Sequence, residues 1–158
     1  MSPGDGQIGS AVTLALAMLA ITTAVHYEAL QLLARAARGG SLSRRTVIGS
    51  LTALVGLHLV EVAFYAVAYA VGADVLGLGR LRGGGSGAWL DYFYFAAETY
   101  STLGYGDLVP LGALRIVASV EALNGLLLIA WSGAFLFGML EGGARNAPGA
   151  KVPLRKDA

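Results

Sequence analysis

Cysteine is absent from the 158 residues, which removes disulfides, thiolate nucleophiles and cysteine-ligated metals from consideration. Charge is scarce as well: Asp, Glu, Lys and Arg make up 13% of the chain, about half the ~25% of ordinary soluble domains. The 11 basic and 10 acidic residues nearly cancel, so the basic face that a nucleic-acid partner needs is missing, and no such partner is expected. No nucleophile motif, phosphate-binding loop or third ligand beside His58 and Glu61 is recognisable, so neither an enzyme nor a cofactor is expected. What the chain has instead is 56% hydrophobic residues, with its charges gathered between long uncharged runs. That spacing belongs to a membrane protein.

The first run has its apolar centre at residues 8–25 and no basic residue before it. It therefore reads as a retained first helix, about residues 8–33, and not as a signal peptide. The second run, residues 46–71, is interrupted by His58 and Glu61; the third, residues 111–140, by Arg115, Glu121 and Asn124. Between them, residues 72–88 form a glycine-rich connection that reads as a flexible linker. It leads into an aromatic stretch, residues 89–101, too short to span a bilayer and expected to be re-entrant. Arg35, Arg38, Arg44 and Arg45 lie in one connection, and Arg145, Lys151, Arg155 and Lys156 in the tail, against only Arg80 and Arg82 in the other connection. Positive residues mark the cytoplasmic side. The N-terminus is thus expected outside, the C-terminus inside, and the re-entrant segment entering from outside.

The chemistry is concentrated in Thr99-Tyr100-Ser101-Thr102-Leu103-Gly104-Tyr105-Gly106-Asp107. Glycine at alternate places permits backbone angles that other residues avoid, so successive carbonyls can face the same way. Irregular backbone at membrane depth survives only against protein or a water-filled path. A file of carbonyl dipoles along such a path replaces the hydration shell of a monovalent cation. One chain supplies one wall, and closed rotational symmetry supplies the others.

TLGYGD, preceded by Glu98-Thr99 and followed by Leu108-Val109-Pro110, resembles the potassium-channel signature, with Leu103 where Val or Ile is commoner. The likeness extends over residues 46–140 as outer helix, pore helix, filter and inner helix, and is to the two-helix bacterial potassium channels with one further helix in front. It implies a homotetramer in the cell membrane's lipid bilayer, conducting K+. The permeant ion would be bound at Thr102, Leu103, Gly104 and Tyr105, with Gly106 closing the outer mouth. It also implies that Glu98 and Asp107 share a proton behind the filter, two carboxyls in a poorly solvated place being unable to ionise together cheaply. Tyr94 stands where the family usually places a bracing Trp, and Gly125 about where it keeps a hinge glycine, with simple helix packing as the other reading. Leu103 and the altered aromatics leave a less selective monovalent cation channel as the alternative.

Ionisable groups inside a membrane are rare and usually have a role. His58 and Glu61 share one face of the second helix, Glu121 and Asn124 one face of the third, and the four are expected to form one interhelical network. His26, near the end of the first helix, is expected at the interface. The expected fold is all-α and integral to the membrane, with three spans and a pore helix per subunit. Its parts are residues 1–45 (first helix and basic loop), 46–141 (pore domain, with filter 102–106) and 142–158 (basic tail).

Overall fold

The computed structural model describes residues 4–37, 43–83 and 89–145. Arg38, the Gly84–Gly87 run and the tail cations Lys151, Arg155 and Lys156 lie outside the described residues. Helix α1 is Asp5–Ala37, α2 is Arg44–Ala70, α3 is Trp89–Tyr100 and α4 is Leu114–Arg145. A two-residue strand β1, Leu81–Arg82, pairs antiparallel with β2, Val109–Pro110. Among the described residues three helices, α1, α2 and α4, are long and apolar enough to cross a membrane. At 1.5 Å per residue they reach about 50, 40 and 48 Å, beyond the ~30 Å hydrocarbon core, so each must tilt or project.

Each long helix buries one stripe. On α1 the buried residues are Ala11, Ala15, Met18, Thr22, His26 and Leu30, three or four apart, as a single helical face requires. On α4 they are Leu114, Val117, Glu121, Asn124, Leu128 and Ser132, at the same spacing. Much of the remaining surface of both helices is apolar and exposed, including Leu16, Leu32, Leu123 and Leu127, as contact with lipid requires. Helix α1 lies chiefly against α4 and secondarily against α2, while α3 is wedged between α2 and α4. Tyr65 and Tyr69 of α2 fill the centre, and the Tyr69 ring meets Phe95 of α3 edge-on at 4.9 Å. The entry of α2 is fixed by Ser43, whose Oγ accepts from Thr46 N at 3.2 Å, satisfying one of the first-turn amides.

Two of the boundaries that differ from the sequence reading bear on the filter. The described part of the connection after α2, residues 71–83, is held by hydrogen bonds and is not a free linker. Val71–Val75 continue as one π-helical turn, and Asp74 accepts a hydrogen bond from Tyr92 of α3 at 3.1 Å. The chain then runs back to back with the segment that follows the filter, Leu111 N donating to Arg80 O at 2.9 Å and Ala113 N to Leu78 O at 2.7 Å. Those same bonds explain why α4 starts at Leu114 and not at residue 111. Residues 109–113 are engaged by β1 and its flank, and Gly112 turns at φ +68°, a conformation that ends the extended segment.

Candidate functional site

The filter segment hangs from the C-terminal end of α3. There the helix has spare carbonyls, and the Glu98 carbonyl accepts from both Leu103 N, at 2.9 Å, and Gly104 N, at 3.2 Å. The Glu98 side chain takes the next amide, Tyr105 N, at 3.2 Å from Oε2. Three successive filter N–H groups therefore turn toward one residue of α3. The peptide bonds are trans, so in each planar unit the carbonyl points opposite to the N–H. The carbonyls of Thr102, Leu103 and Gly104 consequently face away from α3, toward the open side.

Backbone handedness makes this possible. Thr102, Gly104 and Gly106 have φ of 57°, 55° and 79°, whereas Leu103 and Tyr105 between them are not in the positive region. Alternating left- and right-handed residues turn what would be a helix into a nearly straight file. Glycine accepts the left-handed angle freely; at Thr102 the angle is strained, the kind of cost found at functional sites. All five filter residues are exposed in the single chain. Leu103 is 57% and Tyr105 69% accessible, a large apolar surface left without cover at the tip of a short segment.

Behind the filter, Tyr94 Oη donates to Asp107 Oδ2 at 3.1 Å, and Asp107 Oδ1 accepts from Leu108 N at 3.0 Å. Glu98 and Asp107 are within hydrogen-bonding reach. Burial first, and the Asp107 charge after it, hold the Glu98 carboxyl above its usual range, the Tyr105 amide pulling the other way. The aromatic positions divide their work. Tyr94 braces Asp107, Phe95 packs on Tyr69, and Trp89 lies exposed at the start of α3.

Gly125 of α4 faces the end of α3. A Cβ there would fall inside contact distance of the Tyr100 carbonyl and 2.9 Å from the ring carbon Cγ, so the missing side chain is what lets the inner helix reach the base of the filter. The structure thus gives Gly125 a packing role in an uninterrupted helix.

The intramembrane polar residues are arranged differently from the expectation. They form three layers, not one network of four. In the first, Tyr69 donates to Glu121. In the second, Asn124 Nδ2 donates to Tyr65 Oη at 3.0 Å and to Thr22 Oγ1 at 2.6 Å. In the third, Glu61 accepts from Tyr100 Oη at 2.5 Å and meets His26 Nδ1 at 2.9 Å and His58 Nδ1 at 3.1 Å. Ser132 Oγ closes this last layer against His58 Nε2 at 3.1 Å. The reason is the antiparallel run of α2 and α4. Stepping back along α2 from Tyr69 to Tyr65 to Glu61 means stepping forward along α4 from Glu121 to Asn124 to Ser132, so Glu61 never comes level with Glu121. His26 is a further correction: its side chain is 0% exposed, at the centre of the third layer and not at an interface. It is also the third donor that the sequence did not reveal beside His58 and Glu61. Tyr100, Ser132 and Thr22 were missed too. Thr22 and His26 stand four apart on the small-residue stripe of α1, and that spacing was the available signal.

Residues 52–141 match the family described as ion channel, which is more than half of the chain. The chain is similar to the inward rectifier potassium channel Kirbac3.1 of Paramagnetospirillum magnetotacticum, at 35% identity over 88 residues, 55% of this chain and 28% of that protein. It is also similar to the uncharacterized membrane protein YdjJ of Bacillus subtilis (strain 168), at 41% identity over 54 residues, 34% of this chain and 16% of that one. The match thus spans less than a third of either relative's length. No solved structure matches at the same stringency.

Proposed function

The chain belongs to the ion channel family as a multi-pass membrane protein with a potassium-channel pore domain, and from that premise we propose that it conducts K+ selectively as a homotetramer. One observation carries the reading. The amides of Leu103, Gly104 and Tyr105 all turn to Glu98, leaving the intervening carbonyls to face the open side as a file of ligands.

Four such files around one axis would enclose sites in which carbonyl oxygens replace the water of a monovalent cation. Binding at several places in a row keeps each ion loosely held, so that the next can displace it. The Thr102 hydroxyl would add the innermost site, and Gly106 would close the outer mouth. Four-fold closure would also cover Leu103 and Tyr105, whose exposure in the single chain supports assembly. No side-chain charge enters the path, and no bond is made or broken, which is consistent with a passive channel. The cation excess of the connection bearing Arg35, Arg44 and Arg45 over that bearing Arg80 and Arg82 supports a cytoplasmic C-terminus in the cell membrane. The filter mouth would then open outward.

The test is ion flux from liposomes holding the purified chain. Rapid K+ efflux with little Na+ efflux is expected, abolished by Gly104→Ala, since a Cβ at φ 55° distorts the file. Equal K+ and Na+ permeability would assign the less selective channel instead.

A further inference from the structure

His26, His58 and Glu61 each offer a donor atom, all within 4.8 Å of one another, and none of them belongs to the filter. Their hydrogens do not add up. Six close contacts join these residues to Tyr100 and Ser132: His26 Nδ1 to Glu61 Oε1, His58 Nδ1 to Glu61 Oε2 and to Tyr100 Oη, Tyr100 Oη to Glu61 Oε2, and Ser132 Oγ to both Nε2 atoms. Neutral imidazoles, the tyrosine and the serine bring one hydrogen each. If both Nδ1–H groups donate to Glu61, Ser132 has a single hydrogen for two Nε2 acceptors, at 3.1 and 3.4 Å. If both Nε2–H groups donate to Ser132, two Nδ1 lone pairs face carboxylate oxygens at 2.9 and 3.1 Å. Even with the His58 N–H shared between two acceptors, one contact lacks its hydrogen. In a buried place such a deficit is costly, and a cation among the lone pairs removes it.

We propose that Nδ1 of His26, Nδ1 of His58 and the carboxylate of Glu61 form a binding site for a divalent transition ion of the zinc class. Two imidazoles and one carboxylate are an established donor set for that ion, with bonds of about 2.0–2.2 Å and a fourth position left open. Neighbouring ligands in such a tetrahedron stand roughly 3.4 Å apart, a few tenths of an ångström beyond the 2.9 and 3.1 Å between each Nδ1 and its Glu61 oxygen. The outer partners fit as well. With both Nδ1 atoms on the ion, both Nε2–H groups donate to the two lone pairs of Ser132, the kind of hydrogen bond that fixes the tautomer of a ligating histidine. The Tyr100 hydroxyl, 2.9 Å from His58 Nδ1, flanks the open position. The His58 side chain is 19% exposed while those of His26 and Glu61 are 0%, so His58 is the ligand at the edge of the site. Bound there, it would tie α1 to α2 through groups that also hold the end of α3.

The purified full chain, stripped with chelator in detergent micelles, is titrated with Co2+ and then with Zn2+. One ion per chain is expected, with a tetrahedral cobalt absorption that Zn2+ bleaches and a melting temperature raised by the ion. His26→Gln and His58→Gln are each expected to weaken binding more than about 100-fold, and Ser132→Ala about 10- to 100-fold. Circular dichroism and oligomer size check that each variant is folded. A wild-type chain that takes up no ion would overturn the proposal and leave a proton as the missing cation. Uptake unchanged in both histidine variants would overturn it equally. Neither readout depends on conductance, so this site stands or falls apart from the potassium reading.

Discussion

Glu98 does two jobs with one residue: its carbonyl anchors Leu103 and Gly104, and its carboxyl anchors Tyr105. Only the second depends on the side chain, whose contact with Asp107 is linked to protonation. Burial first, and Asp107 after it, raise the Glu98 pKa against the pull of the Tyr105 amide, so folding favours the protonated form relative to the free residue. The carboxyl–carboxylate contact with Asp107 is therefore complete at low pH and is lost as pH rises through that raised value, whereas Tyr105 N–H finds an acceptor oxygen in either form. Glu98→Gln, a fixed neutral mimic, is expected to remove the pH dependence of filter inactivation in planar-bilayer recordings while keeping K+ selectivity. Tyr94→Phe deletes the hydrogen bond to Asp107 and is expected to quicken inactivation without abolishing conduction. At Gly125 the issue is space and not charge. Gly125→Ala sets a methyl group against the Tyr100 backbone and is expected to cost about 1–3 kcal/mol by overpacking, read as a lowered thermal midpoint of the solubilised protein. The same substitution at Gly133, which has nothing within 4 Å, is the control and should leave the midpoint unchanged in the isolated chain's packing.

Between elements, polar layers do what apolar packing cannot do in lipid, where the hydrocarbon is as apolar as the side chains and gives helices no drive to associate. Along its buried stripe helix α1 is fastened in two places, by Thr22 to Asn124 and by His26 to Glu61, the stripe being otherwise made of Ala11, Ala15, Met18 and Leu30. Asn124 is the more revealing of the two fastenings, since one side-chain amide joins α1, α2 and α4. Asn124→Leu keeps the number and branching of side-chain heavy atoms while removing the hydrogen bonds, and is expected to destabilise by about 0.6–2 kcal/mol, measured by thermal unfolding in micelles. Limited proteolysis should then cut between α1 and α2 sooner than in the wild type. A second fastening of elements lies at the filter's outer end, where β1 and β2 pair Leu81 with Pro110 and Arg82 with Val109. It holds the segment leaving the filter against the one entering α3.

For the whole molecule, the absence of cysteine turns topology into a simple measurement. Ser43→Cys and Leu76→Cys place single thiols at exposed positions before α2 and after it. A membrane-impermeant thiol reagent applied to intact cells is expected to label Leu76→Cys and not Ser43→Cys; the reverse pattern would invert the proposed orientation. Cross-linking or native mass spectrometry of the solubilised chain is expected to report four copies. Three long helices, a short one and a filter segment also leave large apolar side chains uncovered in the single copy, which the proposed four-fold assembly would cover. Among its exposed apolar side chains are Leu103 and Tyr105 on the filter and Leu123, Leu127 and Phe137 on α4.

The sequence by itself determined the spans, because their signal is long and local: some 20 uncharged residues need no partner to be recognised. It also determined the filter, since the left-handed angles at positions 104 and 106 are written as glycine, and the place of Glu98 beside it. The register between helices was not legible. His58, Glu61, Glu121 and Asn124 could be assigned depths by counting residues, but which of them meet depends on how α2 and α4 slide past each other, and that is set by packing around Tyr65, Tyr69 and Leu128. The same holds for His26. Its spacing from Thr22 marked a shared face of α1 but not what that face meets, and only the docking of α1 against α4 and α2 brought its ring to Glu61. Hydrophobic length and backbone conformation are properties of neighbouring residues, so the sequence holds them directly. Contacts between distant helices are properties of a packed surface, and the tertiary structure decided those.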